Sequence, residues 1–404
     1  MNKPNRTLLI VILGLLSATG PFSVDMYLPG FPAIAADLHT TIETVSYSLS
    51  SFFIGICVGQ IAVGPLLDRF GRKRPLLIGL TLYGLASVGC ALSTSIESLI
   101  AFRFLQALGG CVCSVAPNAI VRDTFPADET ARVLSWLVLI LGASPILAPT
   151  AGSYVVAHFG WKAVFVVSTL FAVGLFGLVA RWLPAQPANA SYSLRPGAVI
   201  RGFVQVLRVP TFTVHMWITA LASAGVFAYV AGSPIVFMKL YGVSEKQFGG
   251  IFALVAGGLI ACSQLNARLL QWYSSEQLLR VSVWVQMLCG LALLGGTAFN
   301  ALGLYGTIGL LVIFASSHGF IGPNGTALAM TSIREGVGSA AALLGAMRMG
   351  AGAVASALVG LFFDGTALPM AAVMALGAVL SLAVLLGGRG RVVAEPLTPA
   401  HKSA

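Results

Sequence analysis

The chain has 404 residues, of which 57% are hydrophobic and only 9% are charged. Soluble domains carry roughly 25% charged residues because their surfaces face water, so this composition excludes a water-soluble fold. A helix that spans a bilayer takes about 20 residues, so the chain can hold twelve such helices with short connections. The same arithmetic excludes a large domain outside the membrane.

The net charge of +10 could indicate a nucleic-acid or other anionic partner, but the 23 Lys and Arg residues fall mainly in alternate loops. With the termini and the even-numbered loops counted as one side, 18 of them lie on that side, and only Lys162, Lys239 and Lys246 lie on the other. Basic residues are retained on the cytoplasmic face of a membrane. We therefore expect both termini in the cytoplasm and no nucleic-acid partner.

Hydropathy and loop residues predict an all-α integral membrane protein with twelve transmembrane helices in two six-helix bundles. In chain order, the predicted helices are residues 7–29, 45–67, 75–93, 98–121, 133–156, 163–183, 211–235, 248–269, 277–298, 303–326, 337–362 and 367–387. The longest polar interruption, residues 184–210, is predicted to be a cytoplasmic linker. It separates a first bundle at 1–183 from a second at 211–388, and a cytoplasmic tail follows at 389–404.

Proline and glycine predict how some of these helices bend and pack. Pro145 and Pro149 each remove a backbone donor from the fifth helix, so we expect kinks there that face a cavity. Gly55 and Gly59 form a small-xxx-small face on the second helix. Such faces let two membrane helices approach each other closely.

Residues 64–75 read GPLLDRFGRKRP and form the loop between the second and third predicted helices. This segment resembles the GxLaDrxGrkxxl signature of the major facilitator superfamily, which implies the fold of that superfamily. An Asp at a helix end can bind basic residues and helix N-termini across the cytoplasmic gap. We therefore expect a conformational latch formed by Gly64, Asp68, Arg69, Gly71 and Arg72. The alternative is a basic loop that only sets the topology.

Residues 103–110 of the fourth helix read RFLQALGG and are similar to the RxxQG signature of the same superfamily. An Arg inside a bilayer costs at least about 2.5 kcal/mol, so Arg103 needs a partner. Asp25 is the only acidic residue inside a predicted membrane helix, and the helical rise places both residues in the outer half of the bilayer. We therefore expect an ion pair or a short water-bridged network between them, with Gln106 one turn further inward.

Asp25 is also the residue best placed to carry a proton. Burial and a nearby guanidinium act on a carboxyl group in opposite directions, so its charge can be switched. Residues 25–29 read DMYLP and resemble the first helix of the bicyclomycin-resistance (Bcr/CflA) branch of drug/proton antiporters, which implies proton-coupled drug export. We assign Asp25, Arg103 and Gln106 to proton coupling. The alternative for Asp25 is a purely structural counter-ion of Arg103.

Further side chains are candidates for a substrate cavity. Arg348 lies near the centre of the eleventh helix, and no acidic residue lies inside a predicted membrane helix of the second bundle. Arg348 could meet Asp25 across the cavity, contact backbone carbonyls or bind an anionic group of a substrate. We assign Tyr27, Phe227 and Arg348 to the cavity, and His318 is a weaker candidate for proton relay.

The chain contains no P-loop, H-E-x-x-H, G-x-S-x-G or C-x-x-C motif, so we predict no enzymatic activity, no cofactor and no metal site. The predicted function is proton-coupled export of small lipophilic drugs or antibiotics across the bacterial inner membrane. The expected partners are the drug, the proton and the lipid bilayer. The alternatives are a transporter of a polar metabolite and a non-transporting scaffold or receptor. The sequence leaves the oligomeric state open, and a monomer would suffice.

Overall fold

The computed structural model describes residues 6–184, 196–333 and 336–392, which are almost entirely helical. The α-helices, in chain order, are α1 (Arg6–Asp25), α2 (Phe31–Asp37), α3 (Ile42–Phe70), α4 (Lys73–Ala91), α5 (Ile96–Thr124), α6 (Ala127–Phe159), α7 (Lys162–Trp182), α8 (Pro196–Leu207), α9 (Pro210–Ser233), α10 (Glu245–Leu269), α11 (Ser275–Ala298), α12 (Leu304–Thr331), α13 (Val337–Leu361) and α14 (Leu368–Val392). A 3-10 turn (Leu28–Gly30) follows α1, and a π-helical turn (Pro234–Leu240) follows α9. Within this described part, 12 helical segments are long and apolar enough to cross a membrane. The predicted all-α fold with twelve membrane helices is confirmed.

The first membrane segment is broken near its outer end, where a single helix over residues 7–29 is predicted. α1 ends at Asp25, and the chain passes through the 3-10 turn into the short helix α2. Pro29 has no backbone N–H, so an α-helix could not continue undisturbed through this turn. Gly152 of α6 lies against the carbonyl group of Met26, in a space that leaves no room for a side chain. The close approach of α6 therefore accompanies the break.

The second and seventh predicted helices stop too early on the outer side. α3 begins at Ile42 and includes Glu43, and the seventh segment continues from α9 through the π-helical turn to Leu240, so that it includes Lys239. Hydropathy ends a helix where charged residues begin, whereas a charged residue with a partner can remain helical. Asp25 is therefore not the only acidic residue in a membrane segment, and Lys239 does not lie in a loop.

Glycines allow α3 and α5 to pack closely. A Cβ atom on Gly55 would lie 2.6 Å from the carbonyl oxygen of Phe104 and 2.7 Å from the Cβ atom of Ala107. A Cβ atom on Gly59 would lie 2.8 Å from the Cβ atom of Cys111. These distances are shorter than ordinary van der Waals contacts, so the predicted small-xxx-small face is the packing surface between the two helices.

The helices form two groups, which we call the first bundle (α1 to α7) and the second bundle (α9 to α14). The bundles meet mainly along two helix pairs, α3 with α13 and α6 with α10. The largest hydrophobic core joins both bundles and includes Phe31 of the first and Phe237 and Phe248 of the second. Two smaller cores lie at the end that carries the basic loops: one around Leu67 within the first bundle, and one around Met216 between the second bundle and α8. The bundles are thus joined most extensively on the side away from those loops.

The helix α8 lies within the predicted linker and packs on α9 and α13. Val206 is buried in the core around Met216, while Arg201 and Arg208 are exposed. The predicted boundaries at residues 184–210 and 389–404 remain predictions, and residues 185–195 and 393–404 lie outside the described residues.

We expect Gly55→Val to lower the stability of the purified protein, because the new side chain would overlap the backbone of α5. Overpacking of this kind costs about 1–3 kcal/mol. Gly174→Val is the matched control, since a Cβ atom on Gly174 of α7 meets nothing within 4 Å. Melting temperatures in detergent, measured by size-exclusion chromatography after heating, compare the two variants. Equal melting temperatures for both would contradict the packing described for α3 and α5.

Candidate functional site

Arg103 of α5 lies inside the first bundle and is 0% exposed. The central carbon of its guanidinium group lies 4.2 Å from the ring centre of Phe52, 4.7 Å from that of Tyr27 and 5.8 Å from that of Phe165. A cation is attracted to the negative face of an aromatic ring, more strongly where water is absent. We call these three rings the aromatic box. They take the place of a carboxylate as the partners of Arg103.

Gln106 completes the surroundings of this guanidinium group. Arg103 Nη1 donates a hydrogen bond of 2.6 Å to Gln106 Oε1, and Gln106 Nε2 donates one of 2.7 Å to the hydroxyl of Ser87 on α4. The Nε and Nη2 atoms of Arg103 are buried and have no hydrogen-bond partner. The predicted proximity of Gln106 to Arg103 is thus present, and the hydrogen bonds extend from α5 to a second helix, α4.

Asp25, the last residue of α1, is 6% exposed. No ion pair links its carboxylate to any basic residue in the described part of the chain. Tyr229 of α9 lies within electrostatic range of Asp25, and its hydroxyl is buried without a hydrogen-bond partner. Asp25 therefore lies where the first bundle faces the second.

Asp25 and Arg103 form no direct ion pair in this conformation, so that form of the predicted contact is wrong, whereas the alternative of a short water-bridged network stays a prediction. The number of residues along a helix fixes the depth of a side chain in the bilayer, but not the direction in which it points. Arg103 points into the aromatic box within the first bundle, whereas Asp25 lies near α9 of the second. Equal depth is therefore not sufficient for contact.

Tyr27 is not a cavity residue in this structure, because it is only 1% exposed. Its hydroxyl forms a hydrogen bond of 2.8 Å with the hydroxyl of Ser48, and its ring packs edge-on against Phe31. Together with its contact to Arg103, these interactions make Tyr27 a wall of the aromatic box. The assignment of Tyr27 to the substrate cavity is therefore wrong here.

Phe227 of α9 lies between the bundles. Its ring centre is 4.6 Å from that of Phe53 on α3, and its ring leaves no room for a side chain at Gly352 of α13. Phe227 is partly exposed. This position is compatible with the predicted role at a cavity that both bundles line.

Arg348 of α13 takes part in a polar cluster with Ser223 of α9 and His318 of α12. Arg348 Nε donates a hydrogen bond of 3.3 Å to Ser223 Oγ, and His318 Nε2 lies 3.4 Å from the same oxygen. We call these three residues the α9–α13 polar cluster. It contains no acidic residue, and Asp25 makes no ion pair with Arg348. Among the partners considered for Arg348, the carboxylate of Asp25 is therefore excluded in this conformation.

The loop between α3 and α4 brings three charges together at the cytoplasmic end. Arg72 Nη1 donates a hydrogen bond of 2.7 Å to Asp68 Oδ1, and Arg72 Nε donates one of 3.0 Å to Asp123 Oδ2 at the end of α5. Burial disfavours the charge of Arg72, but these two hydrogen bonds outweigh that effect and raise its pKa. Asp123 is a partner that the sequence prediction missed.

The same loop also lies near the second bundle. Asp68 Oδ2 is 3.9 Å from the position of a Cβ atom on Gly338, in the first turn of α13. Gly71 ends α3 with φ of 75°, a left-handed conformation that favours glycine. Arg69 lies over the ring of Phe70, and Gly64 has no neighbour within 4 Å of a Cβ position.

An ion pair that the sequence prediction missed joins the bundles at the opposite end. Lys239 Nζ donates a hydrogen bond of 2.6 Å to Glu43 Oε1. We call this contact the outer ion pair. Further along α3, Ser50 Oγ donates a hydrogen bond of 2.9 Å to Ser356 Oγ of α13. The signal for the outer ion pair in the sequence is weak, since Glu43 and Lys239 merely stand beside the predicted outer ends of two helices.

Pro145 and Pro149 both lie inside the continuous helix α6. Where α6 meets α10, the carbonyl oxygen of Pro149 lies 3.5 Å from the position of a Cβ atom on Gly249. The hydroxyl of Ser153 donates hydrogen bonds to the carbonyl oxygens of Pro149 and Glu245. The proline-containing part of α6 therefore belongs to the contact between the bundles.

Comparison with known proteins gives a family and several relatives. The Major Facilitator Superfamily model matches residues 13–357. A bicyclomycin resistance protein homolog of Haemophilus influenzae is 32% identical over 387 residues, which cover 95% of this chain and 96% of the relative. The multidrug resistance protein MdtL of Escherichia coli is 30% identical over 320 residues, which cover 79% of this chain and 80% of the relative.

Two solved structures are similar in fold. A bacterial homolog of the human lysosomal transporter Spinster, in an inward-facing and occupied conformation, gives a TM-score of 0.75 at 15% identity and covers 99% of this chain and 100% of its own. A D-xylose-proton symporter gives a TM-score of 0.72 at 14% identity and covers 95% and 97%. At these identities the likeness shows the fold alone.

We expect the outer side to be open in a larger fraction of Lys239→Gln molecules, because Glu43 would lose its partner across the bundles. A single cysteine at Ser50, in a background without other cysteines, reports this opening through its labelling by a membrane-impermeant maleimide. Loss of a partly exposed ion pair worth about 1 kcal/mol corresponds to labelling up to about five-fold faster.

The charge-swapped double variant Glu43→Lys with Lys239→Glu serves as the control, since it restores opposite charges at the same two positions. Its labelling rate should return towards that of the parent. If the single and double variants label equally fast, the outer ion pair does not hold this side closed.

Proposed function

Because the chain belongs to the major facilitator superfamily, and is thus a multi-pass membrane transporter, we propose that it exports small lipophilic drugs or antibiotics from the bacterial cytoplasm in exchange for protons. The names of the relatives support this substrate class, since they are a bicyclomycin resistance homolog and a multidrug resistance protein. The observation that carries the proposal is Asp25, a buried carboxylate at the end of α1 that has no basic partner among the described residues.

Asp25 acts as the proton carrier in this proposal. Coupling requires a group whose affinity for protons differs between two conformations, and a carboxyl group that alternates between an apolar contact and water meets this requirement. Movement of α9 relative to α1 would change the distance from Asp25 to Tyr229. Arg103 and Gln106, which were assigned to proton coupling with Asp25, have a positioning role in this proposal, because they hold α5 against Phe52 of α3 and against Tyr27 without touching Asp25.

Two sets of contacts act as opposite gates during alternating access. On the cytoplasmic side, Asp68 lies near the first turn of α13, whose N-terminus carries partial positive charge. On the outer side, the ion pair of Glu43 with Lys239 joins the bundles. Each gate must open while the other is closed, so that the substrate never has a continuous path across the membrane.

The substrate is held between the bundles, with Phe227 and Arg348 on the second bundle as contacts. A transporter of a polar metabolite is the second candidate, and the α9–α13 polar cluster is the observation that favours it. In both proposals the protein works in the inner membrane of a bacterium without an enzymatic step, a cofactor or a metal. No group of His, Cys, Asp and Glu suited to a metal ion occurs among the residues that the structure describes.

We expect Asp68→Asn to fold and bind drug normally but to slow transport, because it weakens the contact with α13 rather than the cavity. Asp123→Asn removes a second carboxylate from Arg72 without touching α13, so it should slow transport less. Transport rates in proteoliposomes and drug affinity by equilibrium binding separate the two effects. Weaker binding at unchanged turnover, or equal slowing by both variants, would contradict the latch.

We expect Asp25→Asn to abolish drug accumulation driven by a pH gradient while it leaves drug binding intact, because the amide keeps its shape but cannot release a proton. The assay uses proteoliposomes with an acidic interior and uncharged chloramphenicol as the probe. In these vesicles, transporters with their cytoplasmic face outward accumulate the drug. One proton that crosses one pH unit releases about 1.4 kcal/mol, which supports a drug gradient of about ten-fold in the wild type, and an imposed potential of about 100 mV would add about 2.3 kcal/mol.

Glu97→Gln is the matched control, since it removes an exposed carboxylate from the first turn of α5 and should accumulate drug as the wild type does. The decisive comparison is between the two variants with and without a protonophore. Undiminished accumulation by Asp25→Asn that the protonophore collapses would show that another group carries the proton.

A further inference from the structure

Arg103 and Arg348 both lie well inside membrane segments, and their surroundings differ. Arg103 is fully buried, with the aromatic box on its faces and Gln106 at its edge. Arg348 is partly exposed, and its one hydrogen bond runs from Nε to the hydroxyl of Ser223. An arginine inside a membrane protein is costly unless its charge is complemented. The aromatic box does this for Arg103, whereas Arg348 has one neutral hydroxyl.

No acidic side chain in the described part of the second bundle is placed to form an ion pair with Arg348. Glu245 and Glu276 lie in the first turns of α10 and α11, and Asp364 lies in the loop between α13 and α14. Glu276 is already paired with Arg280. From the first bundle, Asp25 forms no ion pair with Arg348.

Other polar atoms of the cluster also have hydrogen-bonding capacity that no partner takes up. Ser223 donates its single hydroxyl proton to the carbonyl oxygen of Thr219 at 2.7 Å, so towards Arg348 it acts as an acceptor. His318 is 7% exposed, and its Nδ1 atom is buried without a hydrogen-bond partner. The cluster therefore offers a guanidinium group with free N–H donors and, beside it, an imidazole nitrogen with no partner.

We propose that the α9–α13 polar cluster is a subsite for the carboxylate group of a lipophilic substrate. The planar guanidinium fork matches the two oxygens of a carboxylate in geometry and charge. Phe227 lies on the same helix as Ser223, one turn along, and its partly exposed ring supplies an apolar surface next to the charge. The preferred substrates are thus small amphiphilic acids, which have an aromatic or aliphatic body and one carboxylate.

This inference rests on the proposed function, since it names the substrate class of the same cavity, but its test is independent of proton coupling. The test measures equilibrium binding without any gradient, to purified protein in nanodiscs of phosphatidylcholine. The probes are dansylglycine and its amide, which differ in the carboxylate alone, and empty nanodiscs correct for partition into lipid. Asp25→Asn should retain the preference for the acid, so a failure of coupling and a failure of this subsite give different results.

The wild type should bind dansylglycine at least about ten-fold more tightly than the amide. A ten-fold difference in affinity is near the lower end of what one hydrogen bond to a charged group contributes. Arg348→Gln should lose this factor for the acid and leave the affinity for the amide within about two-fold. Arg280→Gln, at an arginine already paired with Glu276 on α11, should resemble the wild type. Arg348→Lys keeps the charge without the fork and should bind the acid with intermediate affinity. If Arg348→Gln does not fold, the affinities of Arg348→Lys and of the wild type for the two probes still test the subsite. Equal affinities of the wild type for acid and amide, or equal losses for both probes in an Arg348 variant, would overturn the subsite.

Discussion

The interior of a bilayer offers no water to a charged or polar side chain, so every such group inside this protein depends on a partner within the structure. Two charged groups have such partners in the observed conformation. Arg103 lies between aromatic faces with Gln106 at its edge, and Glu43 is paired with Lys239 across the bundles. The first holds one bundle together, and the second stabilises one arrangement of the two bundles.

Asp25 and Arg348 differ from these groups because, among the described residues, neither has an oppositely charged partner and Arg348 has no aromatic ring in the place of one. Both lie near α9: the charge of Asp25 acts on Tyr229 without a hydrogen bond, and Arg348 donates a hydrogen bond to Ser223. A charged group that has no oppositely charged partner within the protein in one conformation can bind a transported species. We propose that Asp25 binds a proton and that Arg348 binds a substrate carboxylate. Movement of α9 would then affect both binding events.

The helices and their close contacts follow from composition and spacing, because hydropathy and small residues act locally. The glycine face at Gly55 is an example, since four-residue spacing alone places it on one side of α3. What the sequence could not supply is the direction of side chains around a helix axis, which packing decides. For that reason the expected contact of Asp25 with Arg103 is absent, and Tyr27 belongs to the aromatic box. The outer ion pair was missed because hydropathy ends a helix at its first charged residue.

The central claim is that the carboxyl group of Asp25 moves protons against drug. Pyranine trapped in proteoliposomes measures this movement directly when the vesicles are loaded with chloramphenicol and diluted into drug-free buffer of the same pH. The account predicts that drug efflux acidifies the interior of wild-type vesicles and that Asp25→Asn vesicles, at equal protein content, show no acidification above that of protein-free vesicles. Acidification at the wild-type rate in Asp25→Asn vesicles would contradict the account.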